Sequence, residues 1–132
     1  MRYIFSALIL LTAAAGALAG AGVEGVFKTE TSDEGGYLEI TFGSCQTNAS
    51  KTCGVITAAY NEQGLNPGYE HLGKLMVKDM TPDGDESFSG GTIWDPEKDK
   101  TYKSKMQLEG QILDVEGCIA FFCDGQDWTR VD

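Results

Sequence analysis

Two runs of strict alternation, separated by Gly110-Gln111, constrain this chain more than any other feature. From Tyr102 to Glu109, Tyr102, Ser104, Met106 and Leu108 alternate with Lys103, Lys105, Gln107 and Glu109. From Ile112 to Ile119, Leu113, Val115 and Ile119 alternate with Asp114, Glu116 and Cys118. Successive side chains of a strand point to opposite faces, so each run predicts a half-buried strand. A two-residue type II′ turn wants glycine at its first central position, which Gly110 supplies. That turn sets Lys105 opposite Glu116 and Gln107 opposite Asp114 on the wet face. It sets Met106 opposite Val115 and Leu108 opposite Leu113 on the buried face. Turn chemistry, charge pairing and apolar pairing agree on one antiparallel hairpin.

The rest of the chain reads the same way. No segment of ten residues after Ala19 holds a helical period. Strands are predicted at Gly25 to Thr29, Tyr37 to Phe42, Cys53 to Tyr60, Leu75 to Met80 and Glu86 to Ile93, and an eighth follows the hairpin. Leu38, Ile40 and Phe42 share one face of the second. Turn clusters stand at residues 32–36 and at Thr81-Pro82-Asp83-Gly84-Asp85. Residues 61–73 form the longest irregular connection, with room for a short helix. Eight short, hairpin-connected strands predict an all-β domain: a small antiparallel meander barrel, whose closure removes both exposed edges, or a β-sandwich. Periodicity alone does not separate the two.

Residues 1–19 have the parts of a secretory signal: Arg2, an apolar run from Tyr3 to Leu11, and Ala17-Leu18-Ala19 as a small-residue cleavage site. The run is short for the ~20 residues of a spanning helix, so no stable membrane insertion of the mature chain is expected. Residues 20–132 are then one β-barrel domain, periplasmic or secreted and expected to be a monomer. The full chain carries a net charge of −10, and loss of Arg2 takes the mature part to −11. Such a surface repels nucleic acid and anionic head groups, and keeps an exported protein soluble.

All four cysteines, Cys45, Cys53, Cys118 and Cys123, lie in the mature part, and an even count in an exported domain reads as disulfides. Of three connectivities, the local one is favoured, because each local pair brackets a polar or turn-prone segment. Loops this short would contribute only roughly 2 to 2.5 kcal/mol each. The spacings do not match paired Cys-x-x-Cys zinc ligands. One conflict stands. Asp124-Gly125 is a type I′ hairpin signal, and a strand running unbroken through Cys118 and Cys123 would hold their side chains roughly 16 Å apart. A break near Ala120, with Phe121 and Phe122 in the loop, resolves it.

The stretch Ser89 to Lys105, with its Gly90-Gly91-Thr92-Ile93-Trp94-Asp95-Pro96 core, and Asp127-Trp128-Thr129-Arg130 near the end resemble the signature of a bacterial family, domain of unknown function 2147. The similarity also takes in Gly117-Cys118 and Cys53-Gly54, and is absent from residues 61–73. The resemblance implies an exported protein, cysteines in the same two neighbourhoods, and a distant relation to lipocalin-type and streptavidin-type barrels, which favours barrel over sandwich. In those barrels a Gly-x-Trp on the first strand meets a basic residue from the last. The matching positions here are Gly25-Val26-Phe27 and Arg130, with phenylalanine in place of tryptophan, so that a cation–π contact is weaker than over indole. No catalytic residue is carried over.

Candidate sites are few. Asp95, Glu97 and Asp99 alternate and could ligate calcium, although no glycine or glutamate stands at the sixth or twelfth position of an EF-hand loop. A solvated hairpin loop is the plainer reading. His71 has no nucleophile or orienting partner nearby in sequence, and no hydrolase motif occurs, so an enzyme is not expected. No cofactor is implied. Phe27, Phe42, Phe88, Trp94, Tyr102, Met106 and Trp128 could line a cavity in a barrel mouth or fill a solid core. The expected function is binding of a small apolar or amphipathic ligand. The alternative is an interaction or inhibitor module acting through loops 61–73 and 95–100.

Overall fold

The structure is a computed structural model that describes residues 23–131, so the leader expected at 1–19 lies outside the described residues. Nine strands form one antiparallel sheet: β1 (Gly25–Lys28), β2 (Tyr37–Ser44), β3 (Thr52–Asn61), β4 (Gly64–Leu65), β5 (Leu75–Gly84), β6 (Ser87–Asp95), β7 (Lys100–Glu109), β8 (Ile112–Ile119) and β9 (Phe122–Arg130). Long strands pair with their chain neighbours, and β1 pairs with both β2 and β9, which closes an eight-stranded barrel. β4 is a two-residue extension that folds back on the end of β3. The barrel reading therefore holds over the sandwich. Among the described residues no helix is long and apolar enough to cross a membrane.

The β7–β8 hairpin has the register expected from its alternation: Lys105 faces Glu116, Met106 faces Val115, Gln107 faces Asp114 and Leu108 faces Leu113. Gly110 takes φ 63°, as the first position of a type II′ turn requires. Lys105 Nζ lies 3.9 Å from Glu116 Oε1 on the wet face.

Two turn assignments are corrected. β5 runs through Thr81, Pro82 and Asp83 to Gly84, and the reversal falls at Asp85 and Glu86, both with positive φ. β3 begins at Thr52, which pairs with Met80, so beyond Met80 β5 has a partner on the β6 side only. An open edge tolerates a proline without an N–H. Asp124-Gly125 lies inside β9, not in a turn; the chain reverses at Ala120 (φ 54°) and Phe121, which makes Cys118 and Cys123 directly opposed. The expected break near Ala120 is present, but Phe122 already belongs to the strand. Both local disulfides are formed, Cys45–Cys53 and Cys118–Cys123. Residues 61–73 hold turns and β4 in place of a short helix.

The core fills one end of the barrel. Val23, Phe27, Phe42, Met80, Phe88, Met106, Leu108, Leu113 and Trp128 are all buried there or next to it. Phe27 meets Phe42 edge-on at 5.8 Å, and the Arg130 guanidinium sits 4.6 Å over the Phe27 ring, the contact that the family resemblance implied. Arg130 also donates to Glu24 O at 2.7 Å. Gly91 lets β6 press on β5: a Cβ there would collide with the Lys78 carbonyl and Met80 Sδ.

Gly91→Ala is therefore expected to destabilise the barrel by about 2 kcal/mol in urea unfolding. A second expectation concerns charge. Burial first, then the neighbouring Glu116 carboxylate, raise the Asp114 carboxyl above its ordinary value, and Asp127 stands opposite it on β9. A raised carboxyl pKa penalises folding above the folded value, and the penalty disappears below the unfolded value of 3.8. Asp114→Asn should stabilise by about 0.5 kcal/mol at pH 7, given solvent screening. The gain should vanish by about pH 3 in the same assay.

Candidate ligand-binding cavity

Strand ends away from the filled core surround a hollow. Four connections meet at this end: residues 29–36, 62–74, 96–99 and 120–121. Between them lies a cavity of about 860 Å³, within the range of small-molecule sites. Val115 and Trp128, buried in the core, are also part of its lining and form its floor. The Trp128 indole N–H donates to Gln126 Oε1 at 2.8 Å, so its polar edge is satisfied within the wall.

The wall is aromatic. Both tryptophans, Trp94 and Trp128, line it with Tyr69 and Tyr102, while Tyr37 and Tyr60 border it at the strand ends with their rings on the outer face, beside Lys28 and Glu39. Tyr37 and Tyr60 are cross-strand partners on β2 and β3 and stack with centroids 4.6 Å apart. Tyr69 comes from the long connection, which is pinned to β3 by Asn66 N–H to Ala59 O and Gly73 N–H to Ile56 O, each at 2.8 Å. His71 in that connection stands edge-on to Tyr69 at 5.3 Å and to Trp94 at 5.0 Å. Lys74 donates to its Nδ1 at 2.9 Å, and Glu70 lies 3.7 Å from its Nε2. His71 thus ties the long connection to β6.

The candidate cavity residues divide. Trp94, Tyr102 and Trp128 line the hollow, while Phe27, Phe42, Phe88 and Met106 are packed in the core below it. Alternation does not single out Tyr69, which sits in a loop, where a strand period carries no information. Ser104 Oγ, on the interior face of β7 between Tyr102 and Met106, is buried with no hydrogen-bond partner.

The cavity opens sideways as well as upward. β1 ends at Lys28, and β9 pairs with it only through Thr129 and Arg130. Residues 122–128 consequently have β8 on one side and no strand on the other. Glu30 spans part of this slot, its Oε2 accepting from the Asp127 N–H at 2.8 Å.

Electrostatically the mouth is acidic. Glu30, Asp95, Glu97 and Asp124 line it against one basic side chain, Lys98. Tyr69 feels this field: burial and then Glu70, Glu97 and Asp95 hold its pKa above the ordinary value. Tyr60 is raised for a separate reason, chiefly by Glu39 on the outer face of β2, then by burial and Tyr37. The calcium candidates are used locally. Asp95 Oδ1 accepts from the N–H groups of Glu97 and Lys98, and Asp99 Oδ1 accepts from the Trp94 indole at 2.9 Å. Among the described residues, the groups of three ligand-type side chains within 4.8 Å are Cys45, Cys53 and Asp79, and Glu116, Cys118 and Cys123, whose sulfurs are in disulfides. Asp95, Glu97 and Asp99 are not such a group.

At the rim the β8–β9 hairpin projects. Phe121 is 98% exposed, Phe122 82% and Ile119 64%, and the Cys118–Cys123 disulfide clamps the turn beneath them.

Comparison with known proteins agrees with this architecture. The model of a family described as an uncharacterized protein conserved in bacteria, domain of unknown function 2147, matches residues 25–130. The chain belongs to that family. No curated protein matches it. Among solved structures it is similar to protein HP1028 from Helicobacter pylori, described as belonging to the lipocalin family, with TM-score 0.60, 16% identity and 83% of each chain covered. That likeness establishes a lipocalin-like fold for this member of the 2147 family.

Proposed function

We propose that this family member is an exported, non-enzymatic carrier that holds one small apolar or amphipathic molecule in the open half of its barrel. The observation that carries the reading is the aromatic-walled cavity of about 860 Å³ above a filled core. An eight-stranded barrel is just wide enough to take one small ligand, and here the two halves make opposite use of that width. The lipocalin-like fold supports the reading. Two disulfides fit an oxidising compartment, and hence removal of residues 1–19 on export to the periplasm or beyond. At the mouth Glu30 and Asp95 accept from backbone N–H groups and Asp99 from the Trp94 indole, an arrangement suited to orienting a ligand rather than activating a nucleophile.

Both tryptophans line the cavity, so ligand uptake has a built-in reporter. Titration with a ten-carbon amphiphile below its micelle concentration is expected to give a saturable, one-to-one change in tryptophan emission. Leu38→Trp, which places bulk on the cavity wall, should weaken binding at least tenfold by calorimetry while the protein remains folded. Unchanged affinity in that variant would count against the cavity as the site.

A second reading, an interaction module acting through loops, has one specific support. Beside the loops 61–73 and 95–100, it is the clamped apolar tip at Phe121, flanked by Ile119 and Phe122, which also line the cavity. A photoreactive phenylalanine at position 121 should then give a single discrete protein adduct in host cells. The same probe at exposed Glu109 should give none.

A further inference from the structure

We infer that the ligand of this cavity carries a positive charge, most simply a quaternary or protonated amine on an apolar body. The inference rests on the ligand-binding reading and deepens it by assigning the head-group chemistry. Two independent features of the mouth converge on a cation.

The first is the wall. Four tyrosine and tryptophan rings, Tyr69, Tyr102, Trp94 and Trp128, line the hollow. Tyrosine and tryptophan faces attract ammonium groups through the ring quadrupole, more strongly where water is displaced, and cages of such rings are the recurrent solution for quaternary ammonium ligands. One of the protein's own cations shows that such a ring accepts the contact. Lys74 Nζ lies 5.7 Å from the Trp94 centroid, although Lys74 does not line the cavity.

The second is the rim. Glu30 and Asp124 line the mouth from the side of the slot, Asp95 and Glu97 from the β6–β7 turn, and Lys98 is the one basic residue among them. Like charges around a concave, low-dielectric opening focus the field and raise the local concentration of the opposite charge. An anionic head group would meet four carboxylates in the same place. At Tyr69, after burial and Glu70, the rim carboxylates Glu97 and Asp95 help to raise the phenol pKa. Whether the cation belongs to a lipid head group or a free amine is a question of tail length, and the aromatic and carboxylate chemistry is shared by both.

Three probes with one ten-carbon tail separate the possibilities: decyltrimethylammonium, decanol and decanoate, each titrated calorimetrically below its micelle concentration at pH 7.5 and low salt. Decyltrimethylammonium is expected to bind at least tenfold more tightly than decanoate, with decanol between them. Glu97→Gln/Asp124→Asn should reduce that ratio at least threefold. Glu86→Gln/Glu109→Gln, which removes the same charge at the filled end, should leave it unchanged. Equal affinity for all three probes would overturn the charge assignment and leave the carrier reading standing, and so would an equal effect of the two double variants, which would reduce the preference to overall net charge. Failure of all three to bind would overturn the carrier reading and this inference with it.

Discussion

Closure of the sheet through β1 is the constraint on which the rest depends. This strand has four residues, pairs with β2 along its whole length and with β9 at two positions only. The weak side of that junction is reinforced by side chains: Phe27, fully buried, is covered by the Arg130 guanidinium, which in turn holds the Glu24 carbonyl. Without this contact β1 and β9 would be free edges, with unpaired backbone groups open to association with other chains. The same economy leaves a slot between β9 and the start of β2. Barrel closure and the opening into the cavity are thus set by a single short strand.

The interior is partitioned by residue size. At the end that β1 closes, Phe27, Phe42, Phe88, Met106, Leu113 and Trp128 meet, and Val23 adds a side chain from outside the sheet. Toward the other end the interior positions turn small, with Ala59 and Gly117 in the wall, so larger rings can stand back around an empty volume. The disulfides serve the two ends separately, one tying β2 to β3 beside the core and the other clamping the exposed β8–β9 turn. The filled core and the cavity therefore occupy different halves. Polar and charged substitutions at the mouth should be tolerated far better than changes of volume at the base.

The fold was legible wherever local chemistry and pairing agreed. Around Gly110 the glycine, the charges and the apolar residues all required one register, and that register is present. Pro82-Asp83-Gly84 misled because turn propensity is local, whereas the loss of a neighbour beyond Met80, which lets a strand carry a proline, is a property of the whole sheet. Asp124-Gly125 misled for the opposite reason: the directly opposed cysteines and the Ala120-Phe121 reversal override a favourable dipeptide. Aromatic candidates could be named from sequence but not sorted. Phe88 and Trp94 lie six residues apart on one strand, yet one is in the core and the other in the cavity wall. Depth along a barrel axis is fixed by stagger between strands, which period-two patterns do not encode.

Native mass spectrometry of the protein recovered from its own host tests the central claim most directly, because a molecule seated in a half-hollow barrel survives gentle ionisation and is lost on denaturation. A loaded carrier gives the mass of the chain with both disulfides formed plus one small adduct, released when the barrel unfolds. Identical masses before and after unfolding, in protein that also takes up no added amphiphile, would contradict that claim.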